Sequence, residues 1–327
     1  MKRNITILLC FITLSSFSIL LNSCRKDNDI PVLTTISAKP LADTIASSGG
    51  ILGSYNSSSG IFISGVCWNS TGHPTLNDNK TIDVLVSDKF SSSLTGLIPN
   101  TQYYVRAFII SQIDTTYGNE VTFRTLLQGQ VADIDGNIYN TIKLGTQIWM
   151  VENLKSTKLY DGAALELVSD SIELFAEPMS PRYCWYNNDK GKNKDVYGAL
   201  YNWEAVKTGK LCPVGWHVPS VHDWIILANT FGGSIYAGGS IKEAGTAHWV
   251  NPNIGATNIA GFTALPGGYL YDGFKEKGIT CYFWTNEPSP VWDFMAWSYQ
   301  ILNEEELLLL RSFPKYSAIS VRCVRDN

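Results

Sequence analysis

Residues 133–154 read DIDGNIYNTIKLGTQIWMVENL. The opening, Asp133, Ile134, Asp135, Gly136 and Asn137, has the look of a calcium loop. Such a loop of the helix–loop–helix kind needs Gly at its sixth position and Glu at its twelfth. Counted from Asp133, Gly136 is fourth and the twelfth residue is Leu144. The pattern fails at both positions. Val131 and Ile134 lie on one side of Asp135-Gly136, and Ile138 and Tyr139 on the other. Asp-Gly between β-formers signals a hairpin, because the turn needs positive φ. Residues 141–144 and 147–150 then read as a second strand pair about Gly145. The stretch therefore opens a β-rich region, and no metal and no cofactor is expected from it.

Working outward, the chain has 327 residues, 45% of them hydrophobic and 17% charged. That is a globular composition, and the length suits about two domains. The formal net charge is −4. No Lys/Arg run offers a basic stripe, so a nucleic-acid partner is not expected. Nine of the ten tryptophans follow residue 126, so the two parts of the chain differ in character.

The N-terminus reads as an address. Lys2 and Arg3 precede an apolar run over residues 5–21, then Asn22, Ser23 and Cys24. A basic start and a short apolar segment make a secretory signal, and the run is short for a membrane span. Leu21-Asn22-Ser23-Cys24 resembles a bacterial lipobox. The resemblance implies cleavage of residues 1–23 and acylation of Cys24, with palmitate among the acyl chains. The partner would then be a membrane, reached through lipid and without a spanning helix. Residues 24–30 form a polar tether similar to those that send some lipoproteins to the outer face of the outer membrane. The localisation it implies is the outer membrane, lipid-anchored, at the cell surface.

Residues 31–127 read as an all-β sandwich. Residues 50–53, 61–68, 81–86 and 103–108 are β-rich runs divided by Ser, Gly and Asn clusters. The stretch LTGLIPNTQYYVRAFI resembles the fibronectin type III signature, with Leu97, Pro99, Thr101 and Tyr103 ahead of a strand carrying Val105 and Ala107. In such modules the tyrosine closes a corner onto the backbone. TTYGNEVTFRT reads as the last strand. Cys67 reads as a buried free thiol, and His73 sits in a loop. The expected role is a spacer.

Residues 128–327 follow an α+β plan, and residues 126–130 form the link. VYGALYNWEAV, residues 196–206, places Leu200, Trp203 and Val206 on a helical stripe. Ser220 and Asp223 are spaced as a helix-capping box, and Val221, Trp224, Leu227 and Ala228 share one face. Gly232-Gly233 ends that helix. Gly-rich turns and strands are expected beyond it. The blocks DIDGNIYNTIKLGTQIWMVENL, YGALYNWEAV, LCPVGWHVPSVHDW, GFTALPGGY, YFWTNE and SVRCVRD, in this order, resemble the Fib-succ-major (FISUMP) domain of bacterial surface lipoproteins. GWHVPSVHDW is also similar to C-type-lectin-like and formylglycine-generating-enzyme-like proteins. The resemblance implies an α+β C-type-lectin-like domain after the sandwich, and it supplies no catalytic residues.

Candidate sites follow from residue types. His217 and His222 are five apart, with Pro219 between them, so they do not share a helical face as a metal pair would. Glu287-Pro288-Ser289 resembles the Glu-Pro-Asn triplet of calcium-dependent lectins, with Ser in place of Asn, and reads as a strand end and Pro turn. Trp149, Trp203, Trp216 and Trp224 read as buried. Trp185, Trp249, Trp292 and Trp297 are the candidate ligand-binding faces, on condition that they are exposed. No Gly-x-Ser-x-Gly is present, and Cys212 or Cys281 beside a His has no supporting pattern. Cys184, Cys212, Cys281 and Cys323 allow three disulfide pairings in an exported protein. The family's Cys-Pro and Arg-Cys-Val blocks imply Cys212–Cys323. The leading reading is a non-enzymatic surface lipoprotein for adhesion or for binding an extracellular glycan or protein. The alternatives are an enzyme or enzyme accessory on a formylglycine-generating-type scaffold and a structural envelope component.

Overall fold

The structure is a computed structural model and describes residues 32–53, 61–111, 114–176 and 179–326. The leader 1–23, Cys24 and the rest of the tether 24–30 lie outside the described residues.

The first strands are β1 (Leu33–Pro40), β2 (Ala46–Leu52), β3 (Ile61–Asn69), β4 (Asn79–Lys80), β5 (Lys89–Leu94), β6 (Gln102–Ser111), β7 (Thr115–Tyr117) and β8 (Val121–Arg124). One sheet runs β1–β2–β5, and the other runs β4–β3–β6–β7 with β8 also on β6. Strand β5 alternates exposed and buried residues, the period that puts one face on a core. Val66, Trp68, Phe90, Val105 and Phe123 are among the residues of that core. Tyr103 is buried, and its hydroxyl accepts the Ile98 N–H at 3.1 Å, which closes the expected corner. Cys67 is free and buried, and burial pushes its thiol up to about 11.

Two strand expectations need correction here. Residues 81–86 make only isolated bridges. Thr81 and Asp83 N–H still donate to Val66 O and Ser64 O of β3 at 2.9 and 2.8 Å, while the Asp83 carboxylate accepts from the Thr81 and Ser92 hydroxyls at 2.5 and 2.6 Å and ties the segment to β5 as well. The final strand is split into β7 and β8. Between them Asn119 accepts the Thr35 N–H at 3.0 Å, and Gly118 lies so close to Thr35 that a Cβ would sit 2.5 Å from its hydroxyl.

The second region begins with β9 (Gln130–Ala132), β10 (Ile138–Leu144) and β11 (Gln147–Met150). Next come β12 (Glu166–Leu167), α1 (Ser171–Phe175), β13 (Arg182–Cys184), α2 (Lys190–Tyr197), β14 (Leu200–Tyr201) and α3 (Trp203–Lys207). Then follow β15 (Trp216–His217), α4 (Val221–Thr230), α5 (Ser234–Ile241), β16 (Tyr269–Leu270) and β17 (Phe274–Lys275). The chain ends with β18 (Thr280–Pro288), β19 (Met295–Leu302), β20 (Leu309–Pro314), β21 (Ile319–Ser320) and β22 (Val324–Arg325). A five-stranded sheet runs β15–β22–β11–β10–β9, and a seven-stranded sheet runs β12–β13–β14–β21–β18–β19–β20.

The Asp-Gly stretch is a hairpin. Strands β9 and β10 pair antiparallel, Ala132 opposite Ile138, and Gly136 has φ +83°. Both aspartates are engaged by the protein itself. Asp133 accepts from Asn137 N–H at 2.9 Å and from the Tyr139 hydroxyl at 2.6 Å. Asp135 accepts from the N–H and hydroxyl of Thr157 at 2.6 and 2.8 Å. The link after β8 is tied to the sandwich: Ala132 N–H donates to Leu41 O at 2.8 Å, and Gly129 N–H to Asp43 at 3.1 Å.

Residues 196–206 are not one helix. Helix α2 stops at Tyr197, Gly198 takes φ +74°, Leu200 and Tyr201 join the seven-stranded sheet, and α3 starts afresh. A Cβ at Gly198 would lie 2.7 Å from Leu154 O, so close packing sets the break. Asn202 then caps α3 by accepting Ala205 N–H at 3.1 Å. Helix α4 has the expected Ser220–Asp223 capping box, with Trp224, Leu227 and Ala228 buried. Helix α5, where only turns and strands were expected, follows at once with Gly233 as its N-cap. It buries Ala237, Gly238, Gly239 and Ile241, and a Cβ at Gly238 would lie 2.3 Å from Leu307 O.

Trp149, Trp224, Phe262 and Phe283 form one aromatic cluster, with Trp149 and Trp224 4.9 Å apart. Two buried cations lie beside it. Arg322 donates to Asn153 Oδ1 and to Phe262 O and stacks 4.2 Å over the Phe262 ring. Lys242 donates to Ile254 O, Leu302 O and Glu305 O at 2.8, 3.0 and 2.8 Å.

Candidate functional site

The polar residues singled out by sequence form a network at the start of α4. Asp223 accepts from Ser220 N–H and Oγ, from Gln147 Nε2 at 3.0 Å, and faces His217 Nε2 at 3.3 Å. His217 Nδ1 lies 2.6 Å from Asp326. Glu287 accepts Val221 N–H at 3.0 Å, so the triplet that resembled a lectin motif places its carboxylate on the helix N-terminus. His222 is exposed on α4, apart from this network.

The Asp223 bond raises the His217 pKa; burial opposes it, and Asp326 adds to it. Burial pushes Asp223 up, but the bonds from His217 and Ser220 outweigh it and hold the carboxylate well below its usual range. A raised histidine contributes stability that is complete below its ordinary 6.5 and is lost as pH rises through the raised value. The depressed Asp223 contributes stability present above 3.8 and lost as pH falls through its lowered value. The melting-temperature deficit of His217→Gln is therefore expected to be larger at about pH 5.5 than at pH 9. A deficit that does not change with pH would show that the ion pairs do not matter.

Among the described residues the cysteines divide into one bond and three thiols. Cys212 and Cys323 are joined, while Cys184 and Cys281 are free and buried. Of the two disulfides that the four could form, the Cys212–Cys323 bond is present and Cys184 and Cys281 do not pair. Burial pushes the Cys281 thiol up to about 12 and the Cys184 thiol up as well, opposite to what a nucleophile needs.

Of the four candidate tryptophans, Trp185 and Trp249 are corrected to core residues. Trp185 is 3% exposed and meets Tyr183 edge-on at 5.6 Å; Trp249 is 1% exposed and donates its indole N–H to Ala264 O at 3.0 Å. Neither offers a face to a ligand. Trp297 is half-buried on β19, opposite Ser312. Trp292 is 55% exposed, with its ring 6.1 Å from that of Phe294.

Trp292 leads to a cleft that no motif announced. The cleft has a volume of about 450 Å³ and is lined by Phe175, Met179, Glu204, Phe294, Lys315 and Tyr316. Asp170 caps α1 through Glu173 N–H; Leu174 goes inward and leaves Phe175 partly exposed. The β18–β19 connection closes through Ser289 N–H to Met295 O at 3.0 Å and Met295 N–H to Trp292 O at 2.9 Å, leaving Val291, Trp292 and Phe294 exposed. Lys315 N–H donates to Phe294 O at 2.9 Å, which joins the β20–β21 connection to the same wall. Tyr316 stacks on Tyr271 at 5.9 Å, and Phe175 meets Tyr316 edge-on at 4.8 Å. Burial, then a hydrogen bond with Tyr271, pushes the Tyr316 phenol up. Glu204 pairs with Lys207 at 3.3 Å, whereas Lys315 Nζ donates to the backbone carbonyl of Asp293 at 2.5 Å and lies 4.7 Å over the Trp203 ring. An aromatic cleft with a few polar groups suits a small ligand, and its volume falls within the range of about 300–1,000 Å³ typical of such sites.

The sequence profile of the Fibrobacter succinogenes major domain (Fib_succ_major) matches residues 142–325, more than half of the chain. The chain belongs to this family. The Fib_succ_major domain thus opens inside β10 and closes in β22, and the Asp-Gly hairpin lies ahead of it. The cleft and the Cys212–Cys323 bond lie within the domain, as does the α4 network apart from Asp326. No curated protein matches the chain. Among solved structures, the chain is similar to the sensor domain of the anti-sigma factor RsgI4 in Pseudobacteroides cellulosolvens. The identity is 15%, covering 30% of this chain and 95% of that one, with a TM-score of 0.24. It is also similar to a fibronectin type III domain derived from human KIAA0970 protein. There the identity is 16%, covering 29% of this chain and 74% of that one, with a TM-score of 0.22.

Proposed function

We propose that this chain is a non-enzymatic surface lipoprotein, held to the outer membrane by acylated Cys24, that binds an extracellular glycan or protein through its Fib_succ_major domain. The carrying observation is the aromatic cleft, whose lining comes from α1, α3 and two strand connections around one wall. The α+β arrangement is read as C-type-lectin-like, with the sandwich as a spacer below the head. The leader supports anchoring through its basic start, apolar run and Leu-Asn-Ser-Cys ending. The enzymatic alternative gains no support from Cys184 or Cys281, whose thiols are buried and raised.

Two measurements test the two halves of this reading. Cells making the full chain take up labelled palmitate into it, and Cys24→Ser abolishes the label; an unlabelled wild type would end the anchoring claim. Residues 25–327, immobilised against arrays of glycans and surface proteins, retain a ligand that Phe294→Ala releases. Phe294 is 49% exposed, so its truncation leaves the core intact. Equal retention by the variant would place binding elsewhere.

A further inference from the structure

We infer that the turn between β1 and β2 docks on the head domain as an extra edge strand, which makes the sandwich a rigid strut that fixes the orientation of the head. The inference needs neither the lipid nor the ligand proposed above.

Domains joined by a small interface move against each other by default. The interface here is small, since two clefts of about 240 and 300 Å³ flank the seam between sandwich and head. Backbone pairing overrides the default. Strand β9 is the last strand of the five-stranded head sheet. An uncovered outer edge would present unpaired N–H and C=O groups, and residues 41–43 cover it. Ala42 pairs antiparallel with Val131, Ala132 N–H donates to Leu41 O at 2.8 Å, and the Asp43 carboxylate accepts Gly129 N–H at 3.1 Å. Val131 and Ala132 are buried, and Val131 also belongs to the head core. The turn is itself held in shape, because Leu41 and Ala42 N–H both donate to Ile45 O, at 2.9 and 3.0 Å.

The link leaves little room for a swivel. Leu126 is buried, and its carbonyl accepts Asn100 N–H at 2.9 Å within the sandwich. Gly129 O accepts Thr141 N–H at 2.8 Å within the head. Only Leu127 and Gln128 separate these two ties.

Strand β1 carries the restraint away from the head. Its eight residues run from Leu33, opposite Leu52, to Pro40 beside the docked turn. At the rise of a β-strand that is roughly 25 Å. Leu33 therefore lies at the end of the sandwich remote from the head. A sandwich tied at this turn sets both the distance and the direction of the head from Leu33.

Nitrogen-15 relaxation and small-angle scattering of residues 25–327 test the inference. In the wild type, amides of the sandwich and of the head are expected to report one shared tumbling time on the nanosecond scale. Two variants separate the seam from the short link. Ala42→Cys with Val131→Cys places a disulfide across the seam; Cys67, Cys184 and Cys281 are buried and do not compete. The oxidised form is expected to give the scattering curve of the wild type, because the bridged arrangement is already the populated one. Insertion of a flexible Gly/Ser tetrapeptide after Gln128 frees the link without touching the seam, and shared tumbling is expected to persist. A shorter tumbling time for the sandwich than for the head in the wild type overturns the strut. So does a wild-type curve more extended than that of the bridged form, or an added cysteine pair that stays reduced. Independent tumbling after the insertion overturns the docked turn as the cause of the restraint.

Discussion

Replacing Cys212 and Cys323 together by alanine lowers the stability of the Fib_succ_major domain by about 2–5 kcal/mol. The bond joins residues 111 apart, so its loss frees a long loop in the unfolded chain. It is also buried in the folded domain. Both cysteines belong to the core cluster that holds Trp203, Trp216 and Trp284, and Cys323 O accepts Met150 N–H at 3.1 Å. The bond therefore pins the segment before β22 to the loop before β15. Urea unfolding of wild type and double variant measures the effect. A shift in the midpoint at constant slope is the expected form. Coincident midpoints would mean that the bond adds nothing to the packing.

The second large effect is expected at Lys242. This side chain is 0% exposed, and its three ammonium hydrogens meet three carbonyls, those of Ile254, Leu302 and Glu305. Burial pulls its pKa down to about 8, so the amine remains mostly charged at pH 7. Ile254 lies between α5 and β16, Leu302 ends β19 and Glu305 follows it toward β20, so one cation at the end of α5 ties these segments together. Lys242→Met keeps the stem and removes the donors. Three acceptors are then left in a site shaped for a cation, and the expected loss is about 3 kcal/mol. Thermal or urea unfolding reads it directly; a loss below about 1 kcal/mol would show that water or local movement satisfies the carbonyls.

The parts of this fold that were legible in the sequence are those with local causes. Asp135-Gly136 states its turn through the positive φ it demands, and Ser220 with Asp223 states a helix start through a reciprocal cap. Strand β19, Met295–Leu302, also has a local cause, because the β-formers Trp297, Tyr299 and Ile301 recur at every second residue. Where local pattern and packing disagreed, packing decided. Leu200, Trp203 and Val206 have helical spacing, yet the contact of Gly198 with Leu154 and the pairing of β14 with two neighbours split the segment. Helix α5 was hidden because SIYAGGSI carries two glycines that read as turns. They are there for close approach to residues 306–307 and Gly255.

The candidate site was the least legible. Phe175, Glu204, Phe294 and Tyr316 lie in four segments far apart in sequence, and none belongs to a recognisable motif. Tryptophan count was a poor guide, since Trp185 and Trp249 went to the core. Trp292 alone of the four stands out beside the cleft, on a connection whose neighbours Val291 and Phe294 are exposed as well. That clustering of large apolar residues around Asp293 in a strand connection was the one signal available.

The central claim is that ligand binding belongs to the aromatic cleft and not to the Glu287 triplet at the head of α4. A side-by-side titration of the arrayed ligand tests it most directly, using residues 25–327 as wild type, Phe294→Ala and Glu287→Gln, each with calcium and with a chelator. Glutamine still accepts from Val221 N–H, so Glu287→Gln keeps the cap. The expected result is an affinity about tenfold weaker for Phe294→Ala, with Glu287→Gln equal to wild type and no response to the chelator. Binding that survives Phe294→Ala but vanishes with Glu287→Gln or on chelation would contradict the account and establish a calcium-dependent lectin mechanism in its place.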